Sequence, residues 1–498
     1  MPAISAYAEL ESRFRRLAAL EGASSMLYWD QSAMMPPGGA KARASQLAEL
    51  KLVRHEMLTD PRLGELIDRA GGEMLEPWQR ANLREMGRRR RDATALEPRL
   101  VEALARASSE GDRVWLSARP ASDFAAALPI LERLVGLARE AGTAKGELLR
   151  LSPYDALLDG YEPGGRASRI DALFAPLAAA LPDLLARITD RQRREPPHLS
   201  PGRPFPAAQQ RALGLKLMAT AGFDFEHGRL DESAHPFCGG VADDLRLTTR
   251  YDEADFVSGL MGILHETGHA LYEQGLPMPW REQPVGEARG MAVHESQSLL
   301  MEMQACRSPD FLGYLSPLLA ETFGDDPAFA PVNLRRVYAR VEPGFIRVNA
   351  DEVTYPAHVI LRYRLERAMI AGDLAPADLP GAWAEGLKGL LGIVPPNDRL
   401  GCLQDPHWYG GDFGYFPTYT LGAMAAAQLY ATAGAERPGI PAALGDGDFA
   451  PLLGWLREKV HGLGSLHATT DELLTEATGR PLDPAIFLAH LNRRYLGG

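Results

Sequence analysis

The sequence feature that most constrains the fold is a succession of segments in which Leu, Ala and Val recur every three or four residues. The clearest of these segments span residues 6–20, 42–57, 100–109 and 130–141. Clusters of Pro and Gly interrupt the pattern at 36–39, 71–72 and 161–165. Apolar residues at this spacing share one face of an α-helix, and Pro-Gly clusters end helices. The sequence therefore predicts a mainly α-helical fold.

Two short stretches depart from the helical pattern. Residues 245–251 alternate apolar with polar or β-branched side chains, and residues 345–348 carry a weaker form of the same alternation. A period of two residues is typical of a half-buried strand, so a small sheet is expected. The stretch 195–206 contains five prolines and is expected to form a loop, at a seam between two parts of the chain.

Composition narrows the class of protein. The 46% of hydrophobic and 24% of charged residues are typical of a globular chain. The net charge of −12 argues against a nucleic acid partner, so we interpret the four arginines at 88–91 as a solvated helix face. No run reaches the roughly 18 apolar residues of a membrane helix, and the N-terminus lacks a secretory signal pattern. Three widely spaced cysteines fit a reducing compartment, so we expect a cytoplasmic protein.

A metal-binding motif is the sharpest chemical signal. His265 and His269 lie four residues apart with Glu266 beside the first, in the pattern His-Glu-x-x-His. On a helix, residues four apart share a face, so both imidazoles can bind one ion while Glu266 serves as a general base. The helix also carries an apolar stripe that would bury it, formed by Leu260, Ile263, Leu264 and Leu271. The competing interpretation is a pair of buried histidines satisfied by neighbouring groups without a metal.

A catalytic zinc site needs a third protein ligand. No histidine follows His269 at the metzincin spacing, so the ligand must come from a later segment. A second helical pattern offers Glu295, which would complete a His2Glu set. The competing ligands are Glu287, His294 and Glu302. For Glu302 and for Glu273, surface charge or support of a ligand is the preferred interpretation.

These motifs resemble the thermostable metallocarboxypeptidase family typified by carboxypeptidase Taq. The two central motifs are HETGH at 265–269 and HESQS at 294–298. Weaker motifs follow the same order along the chain: WDQ at 29–31, MPPGGA at 35–40, PYD at 153–155, LLD at 157–159, YEPG at 161–164, HPF at 235–237, DxRxT at 244–248, IRxxADE at 346–352 and GxxQDxHW at 401–408. The chain departs from the family pattern after the second central motif, where it has LLMEM at 299–303 in place of RLWEN.

The resemblance implies a metal-dependent carboxypeptidase with a mainly helical fold that a long substrate groove divides, assembled as a homodimer. Zinc is the expected metal, and cobalt or manganese also suit a His2Glu site. We expect a single domain over residues 1–498. Its largely helical half, 1–200, would cover the groove, while 201–498 would carry the metal site and the small sheet near it.

The developing oxyanion of a cleaved peptide needs positioned hydrogen-bond donors. His407 and Tyr419 are the candidates, with Tyr415 in reserve, because the stretch 404–419 is rich in aromatic residues and glycine. The competing interpretation is that these aromatics only fill the core. His235, which precedes a proline, either lines the groove or supports a metal ligand.

An enzyme that acts at a C-terminus must also bind a free carboxylate, for which a bidentate arginine is best suited. Arg347 and Arg362 lie in motifs that resemble the family, and we favour Arg347. Each could instead form a structural ion pair with an acidic residue close in sequence, namely Asp351, Glu352 or Glu366.

The sequence thus predicts a metallocarboxypeptidase that removes single residues from peptides with a free C-terminus. An endo-acting zinc oligopeptidase is the alternative within the same class, since related helical peptidases use the same motif. A non-catalytic helical protein with a structural metal, or with none, is the alternative from a different class.

Overall fold

The computed structural model describes residues 5–233 and 235–497. Within these described residues, the α-helices that precede the sheet are α1 (Ala6–Ala33), α2 (Ala40–Thr59), α3 (Pro61–Ala70), α4 (Pro77–Thr94), α5 (Pro98–Ala121), α6 (Phe124–Leu149), α7 (Pro153–Leu158), α8 (Ala167–Arg194) and α9 (Ala207–Thr220). The helices that follow it are α10 (Phe256–Gly275), α11 (Met291–Leu299), α12 (Pro309–Phe323), α13 (Pro331–Tyr338), α14 (Tyr355–Ala371), α15 (Leu379–Leu391), α16 (His407–Gly410), α17 (Pro417–Glu436), α18 (Ile440–Gly445), α19 (Ala450–Lys459), α20 (Thr470–Thr478) and α21 (Pro484–Leu496). A π-helical turn, Leu300–Ala305, directly extends α11. The predicted mainly helical fold is confirmed.

Helices end later than the apolar periodicity indicates. The segment predicted as 6–20 continues to Ala33, and the segment predicted as 100–109 continues to Ala121. The Pro-rich stretch 195–206 lies between α8 and α9, where it forms the predicted loop. Proline stands within the first two positions of many of these helices, where its missing N–H has no intrahelical partner to lose.

The sheet has three strands, β1 (Gly228–Glu232), β2 (Phe237–Val241) and β3 (Asp244–Thr249), in the order β1-β3-β2. β1 pairs parallel with β3, and β2 pairs antiparallel with it. β3 occupies the predicted strand segment, with Leu245 and Leu247 buried as the alternation requires. The second predicted strand, 345–348, is wrong. A 3₁₀ turn, Arg347–Asn349, stands there instead.

The first helix packs along the free edge of β2. Ser25 Oγ accepts a hydrogen bond from the Gly240 N–H at 3.0 Å and donates to the Gly240 carbonyl at 2.9 Å. Arg246 on β3 pairs with Asp244 at 2.6 Å, and its guanidinium lies 4.6 Å from the ring centroid of Trp29 in α1. These contacts fix the sheet against α1, and the Asp244–Arg246 pair braces β3.

The buried apolar residues form two clusters. The larger runs from Ala107 to Tyr495 and so unites helices from both halves of the chain. The smaller lies among α1, α3 and α4. A buried ion pair joins the two, since Arg289 Nη1 lies 2.9 Å from Oε1 of Glu85. Burial alone would raise the pKa of Glu85, but Arg289 and Arg88 hold it at about 2.

Among the described residues, one helix, α8, is long and apolar enough to cross a membrane on length and composition alone. A core helix passes the same test. The apolar residues of α8 form a buried stripe in the larger cluster, including Ile170, Leu177 and Leu184. Their burial favours the interpretation of α8 as a core helix.

Candidate metal centre and active site

The two motif histidines lie on one face of α10. Asp255 caps this helix by accepting a hydrogen bond from the Val257 N–H, and the predicted apolar stripe is buried. α11 presents Glu295 to the same place. One potential ligand atom from each of His265, His269 and Glu295 lies within 4.8 Å of the other two. The structure thus brings together the three residues that the sequence predicts as metal ligands.

Two glycines allow the helices that carry these residues to approach closely. A Cβ atom on Gly268 of α10 would lie 2.5 Å from the carbonyl oxygen of Gln297, so only glycine lets α11 pack at this distance. A Cβ on Gly422 of α17 would lie 2.8 Å from Cβ and Cγ of Glu295. The Glu295 side chain is therefore held between α10 and α17.

A hydrogen bond at Nδ1 orients each histidine ring. His269 Nδ1 donates to the backbone carbonyl of His294 at 3.0 Å, and His265 Nδ1 lies 2.9 Å from Oε2 of Glu302. These contacts leave Nε2 available on both rings, and His269 Nε2 lies 3.6 Å from Oε2 of Glu295. Two imidazoles with satisfied Nδ1 atoms and one carboxylate form a donor set that suits a divalent cation. The residues present therefore fit the predicted metal.

The three candidate ligands differ in how burial and their neighbours shift their pKa values. Burial and the neighbouring imidazoles lower the pKa of His269 well below its ordinary value, which keeps that ring neutral and able to ligate. Burial would lower the pKa of His265, but its hydrogen bond to Glu302 and the charge of Glu295 raise it to about 10. Burial raises the pKa of Glu295. Without a cation the cluster retains a proton, which metal binding must displace.

Glu266 lies beside the cluster and is buried. Desolvation raises its pKa to about 7, although the charge of His265 acts in the opposite direction. A carboxyl group with this pKa can both accept and release a proton near neutral pH. The residue predicted as general base is therefore suited to that chemistry.

The competing ligands occupy other roles. Glu302 contacts His265 rather than joining the three donors, and Oε1 of Glu273 lies 3.0 Å from Nε2 of His294. Glu287 forms an ion pair with Arg89. The His294 ring stacks on His269 with centroids 4.4 Å apart.

A second cluster contains four of the residues predicted for catalysis and substrate binding. His407 Nε2 lies 3.1 Å from the Tyr419 hydroxyl, and the Arg347 guanidinium lies 4.7 Å from the Tyr419 ring centroid. The Tyr415 ring centroid is 5.2 Å from that of Tyr419. Tyr419 lies three residues before Gly422 on α17, on the helix face that contacts Glu295, so this cluster adjoins the metal centre.

Both protonation states in this cluster favour hydrogen-bond donation. Burial and the charge of Arg347 lower the pKa of His407 to about 4, so the ring is neutral near pH 7. Burial raises the pKa of Tyr419 to about 12, although Arg347 acts in the opposite direction, so its hydroxyl retains the proton. A neutral imidazole and a phenol can each donate one hydrogen bond to a negative oxygen.

The two candidate arginines share one carboxylate. Arg347 Nη2 lies 3.0 Å from Oδ1 of Asp405, and Arg362 Nη2 lies 2.6 Å from Oδ2. Arg362 has no exposed surface, and its Nη1 donates to the carbonyl of His358. The predicted contact of Arg362 with substrate does not agree with this burial, because its charge is already used inside the protein. Arg347 retains 7% side-chain exposure and a place beside Tyr419.

Among the described residues, no hydrogen bond or ion pair links the remaining predicted residue, His235, to either cluster. His235 lies in the turn that leads into β2, and its side chain is exposed. Its backbone carbonyl accepts a hydrogen bond from Ser233 Oγ at 2.6 Å. Its predicted contact with substrate or with a ligand stays a prediction.

Sequence reasoning missed Tyr355. Its hydroxyl accepts from Arg347 Nη1 at 3.5 Å, and its ring centroid is 6.2 Å from that of Tyr419. Tyr355 opens α14, three residues after Glu352 of the IRxxADE motif. Tyr355 is distant along the chain from the candidate metal ligands and from Tyr419, so no spacing pattern indicated it. The one available signal was its position just after the IRxxADE motif.

Comparisons with known proteins identify the family. Residues 9–495 match the family described as carboxypeptidase Taq (M32) metallopeptidase. The chain is 41% identical to thermostable carboxypeptidase 1 of Thermus thermophilus, over 99% of this chain and 98% of the relative. It is 34% identical to carboxypeptidase 1 of Bacillus subtilis, over 97% and 96%. The structure of metallocarboxypeptidase 1 of Trypanosoma cruzi superposes with a TM-score of 0.96 at 44% identity, covering 98% of this chain and 99% of the other. This chain therefore belongs to the carboxypeptidase Taq (M32) metallopeptidase family.

Proposed function

We propose that this metallocarboxypeptidase cleaves the last residue from peptides with zinc held by His265, His269 and Glu295. The observation that supports this most strongly is the convergence of those three side chains within 4.8 Å, with both Nδ1 atoms already engaged. A divalent cation at this position supplies Lewis-acid polarisation of the scissile carbonyl and acidifies the attacking water. The remaining chemistry falls to the side chains around it.

Glu266 acts as the general base. Its carboxylate takes a proton from the attacking water and passes it to the nitrogen of the leaving amino acid, so that the same group serves both halves of the reaction. The raised pKa of about 7 supports this, because a proton carrier works best when its pKa lies near the working pH. A bound cation would lower that pKa, since a nearby positive charge favours the ionised carboxylate.

His407 and Tyr419 donate hydrogen bonds to the oxyanion that develops on the scissile carbonyl, with Tyr415 beside them. The protons that both groups retain and their position beside the metal centre support this assignment. Arg347 binds the C-terminal carboxylate of the substrate. Its position next to Tyr355 and Tyr419 supports that role, as does the 7% of side-chain surface that stays exposed. Arg362 keeps Asp405 ionised behind Arg347 and is assigned a supporting role.

Zinc, cytoplasmic location and a homodimer are parts of the same proposal. Two imidazoles and one carboxylate form a common catalytic zinc set, although cobalt and manganese suit it as well. The free cysteines Cys238, Cys306 and Cys402 suit a reducing cytoplasm. Family resemblance supports the dimer, and light scattering of the purified protein should give twice the 54.3 kDa of one chain.

The variant Glu266→Gln tests the catalytic assignment. It keeps the size of the side chain but removes the base, so we expect zinc content to remain at one per chain while kcat falls by roughly 10²- to 10⁴-fold. Metal content by mass spectrometry and peptide turnover are measured on the same preparation. Turnover equal to that of the parent would contradict the assignment and would favour a structural metal.

A further inference from the structure

The support of the two histidine ligands is asymmetric. His269 donates to a backbone carbonyl, a neutral acceptor, whereas His265 contacts the carboxylate of Glu302. Glu302 also forms an ion pair with Arg307, and its side chain is only 12% exposed. One carboxylate therefore serves two donors at once, through Oε2 to His265 and through Oε1 to Arg307.

Glu302 stands on an unusual piece of backbone. Residues Leu300–Ala305 form a π-helical turn that directly continues α11, and the Cys306 N–H closes it on the Met301 carbonyl at 2.9 Å. Such turns are rare and recur at functional sites. Glu295 and Glu302 thus come from one continuous helical rod, yet each reaches a different histidine of α10.

The C-terminal helix holds the π-helical turn in place. Arg494 of α21 donates to the carbonyls of Met303 and Gln304, which lie within the turn. Arg494 is itself fixed by Glu352, whose Oε2 lies 2.9 Å from its Nη1. The turn is therefore anchored by a charged side chain from the far end of the sequence.

We propose that Glu302 is a positioning residue of the metal centre. Its carboxylate holds the His265 ring with Nε2 directed at the cation, and the π-helical turn anchored by Arg494 sets where that carboxylate lies. This inference rests on the proposed ligation of zinc by His265. It assigns the turn a role in metal binding rather than in the chemical step.

The variant Glu302→Gln tests this role because His265 and Arg307 each contact a different oxygen of Glu302, and an amide turns an NH2 donor toward one of these two donors. We expect the dissociation constant for Zn²⁺, measured by chelator competition, to rise about 10- to 100-fold, which is the usual effect of losing such a partner. The visible spectrum of the Co²⁺-loaded protein should change as well, since it reports the ligand geometry. Zinc affinity equal to that of the parent would overturn the proposal.

Two further variants separate position from charge. Glu302→Asp keeps the charge but shortens the reach, so we expect weaker zinc binding than in the parent; affinity equal to the parent would mean that only charge matters and would overturn the proposal. This comparison also tests the proposal if Glu302→Gln fails to fold.

Glu273→Gln is the matched control, because Glu273 also contacts an imidazole, that of His294, but His294 is not a proposed metal ligand. Equal losses in Glu273→Gln and Glu302→Gln would contradict a specific role of Glu302.

His265→Ala distinguishes failure of this inference from failure of the proposed function. If zinc affinity is unchanged in His265→Ala, the proposed metal site itself is wrong, and the role of Glu302 is overturned with it. If His265→Ala loses zinc while Glu302→Gln and Glu302→Asp bind it as the parent does, only the positioning role is overturned.

Discussion

At the scale of single residues, the two arginines of the site share one carboxylate but differ in burial. Asp405 accepts from both Arg347 and Arg362, and although burial would raise its pKa, the two guanidinium groups hold it well below its usual range. Arg362 lies entirely behind this carboxylate. Arg347 is the one of the pair that keeps exposed side-chain surface, 7%, and it is therefore the arginine that we propose to bind an incoming carboxylate.

Replacing Arg347 by alanine should weaken the binding of substrates that end in a free carboxylate. A hydrogen bond to a charged group contributes about 1.5–3 kcal/mol, so kcat/KM for such a peptide should fall roughly 10- to 100-fold. The same peptide with a C-terminal amide should be affected far less. Steady-state kinetics on both peptides measure this, with Arg340→Ala as the control, since Arg340 pairs with Glu342 on the surface. An unchanged preference for the acid over the amide would remove Arg347 from this role.

Residue-level prediction from sequence worked where short spacing encodes geometry. His265 and His269 sit one helical turn apart, so their convergence follows from the helix itself. The choice between Arg347 and Arg362 could not be made in the same way. Both lie near acidic residues in sequence, yet the partner they share is Asp405, more than 40 residues away.

At the scale of elements, the site depends on how closely three helices pack. α10, α11 and α17 meet at Gly268 and Gly422, and a β-carbon at either position would overlap α11. The apolar periodicity of these helices predicts that they are buried but not which of them are neighbours. The sequence therefore does not show that Gly268 and Gly422 are contact positions until the neighbouring helices are known.

Replacing Gly422 by alanine should damage the metal centre through packing. The added methyl group would lie 2.8 Å from Cβ of Glu295, and overpacking of this kind typically costs about 1–3 kcal/mol of unfolding free energy. We also expect zinc content to fall, because Glu295 must move. Gly434→Ala on the same helix is the control, since no atom lies within 4 Å of its added carbon and alanine favours helices by up to about 1 kcal/mol. Equal stability and full zinc in both variants would contradict the account.

A buried carboxyl group joins α7, α14 and α16. Tyr154 donates to Glu366 Oε1 at 2.6 Å and Trp408 Nε1 donates to Oε2 at 3.0 Å, while burial raises the pKa of Glu366 to about 7. The folded state therefore holds this proton to a higher pH than the unfolded chain does, where the pKa is about 4.3. The protonated Glu366 carboxyl therefore contributes fully to stability below the unfolded-state pKa of about 4.3. This contribution is lost as the pH rises through the folded-state pKa of about 7.

Glu366→Gln should remove this pH dependence, because the amide is neutral at every pH. The unfolding free energy of the variant minus that of the parent should be up to about 3 kcal/mol more favourable to the variant at pH 8 than at pH 4.5. Urea unfolding at both pH values measures the difference. Exposed Glu385 provides a control, since Glu385→Gln should follow the parent profile. Parallel profiles for Glu366→Gln and the parent would show that Glu366 is not the group responsible.

At the scale of the whole molecule, the class of fold could be predicted and its assembly could not. Periodicity and turn clusters identified helices, and alternation located β3. The strand predicted at 345–348 was wrong because a buried ion pair decides the backbone there: Arg347 is buried against Asp405 in a 3₁₀ turn, while Val348 is exposed. The seam between the two cores depends on Glu85 and Arg289, 204 residues apart, a pairing that no local pattern encodes.

The proposed function requires that metal-dependent cleavage occur only at a free C-terminus. The most direct test is mass spectrometry of one short peptide and its C-terminal amide, each incubated with zinc-loaded protein and with a chelated control. We expect stepwise loss of single residues from the free acid alone, abolished by chelation. Internal cuts in both peptides, or no cleavage by protein shown to hold its metal, would contradict it.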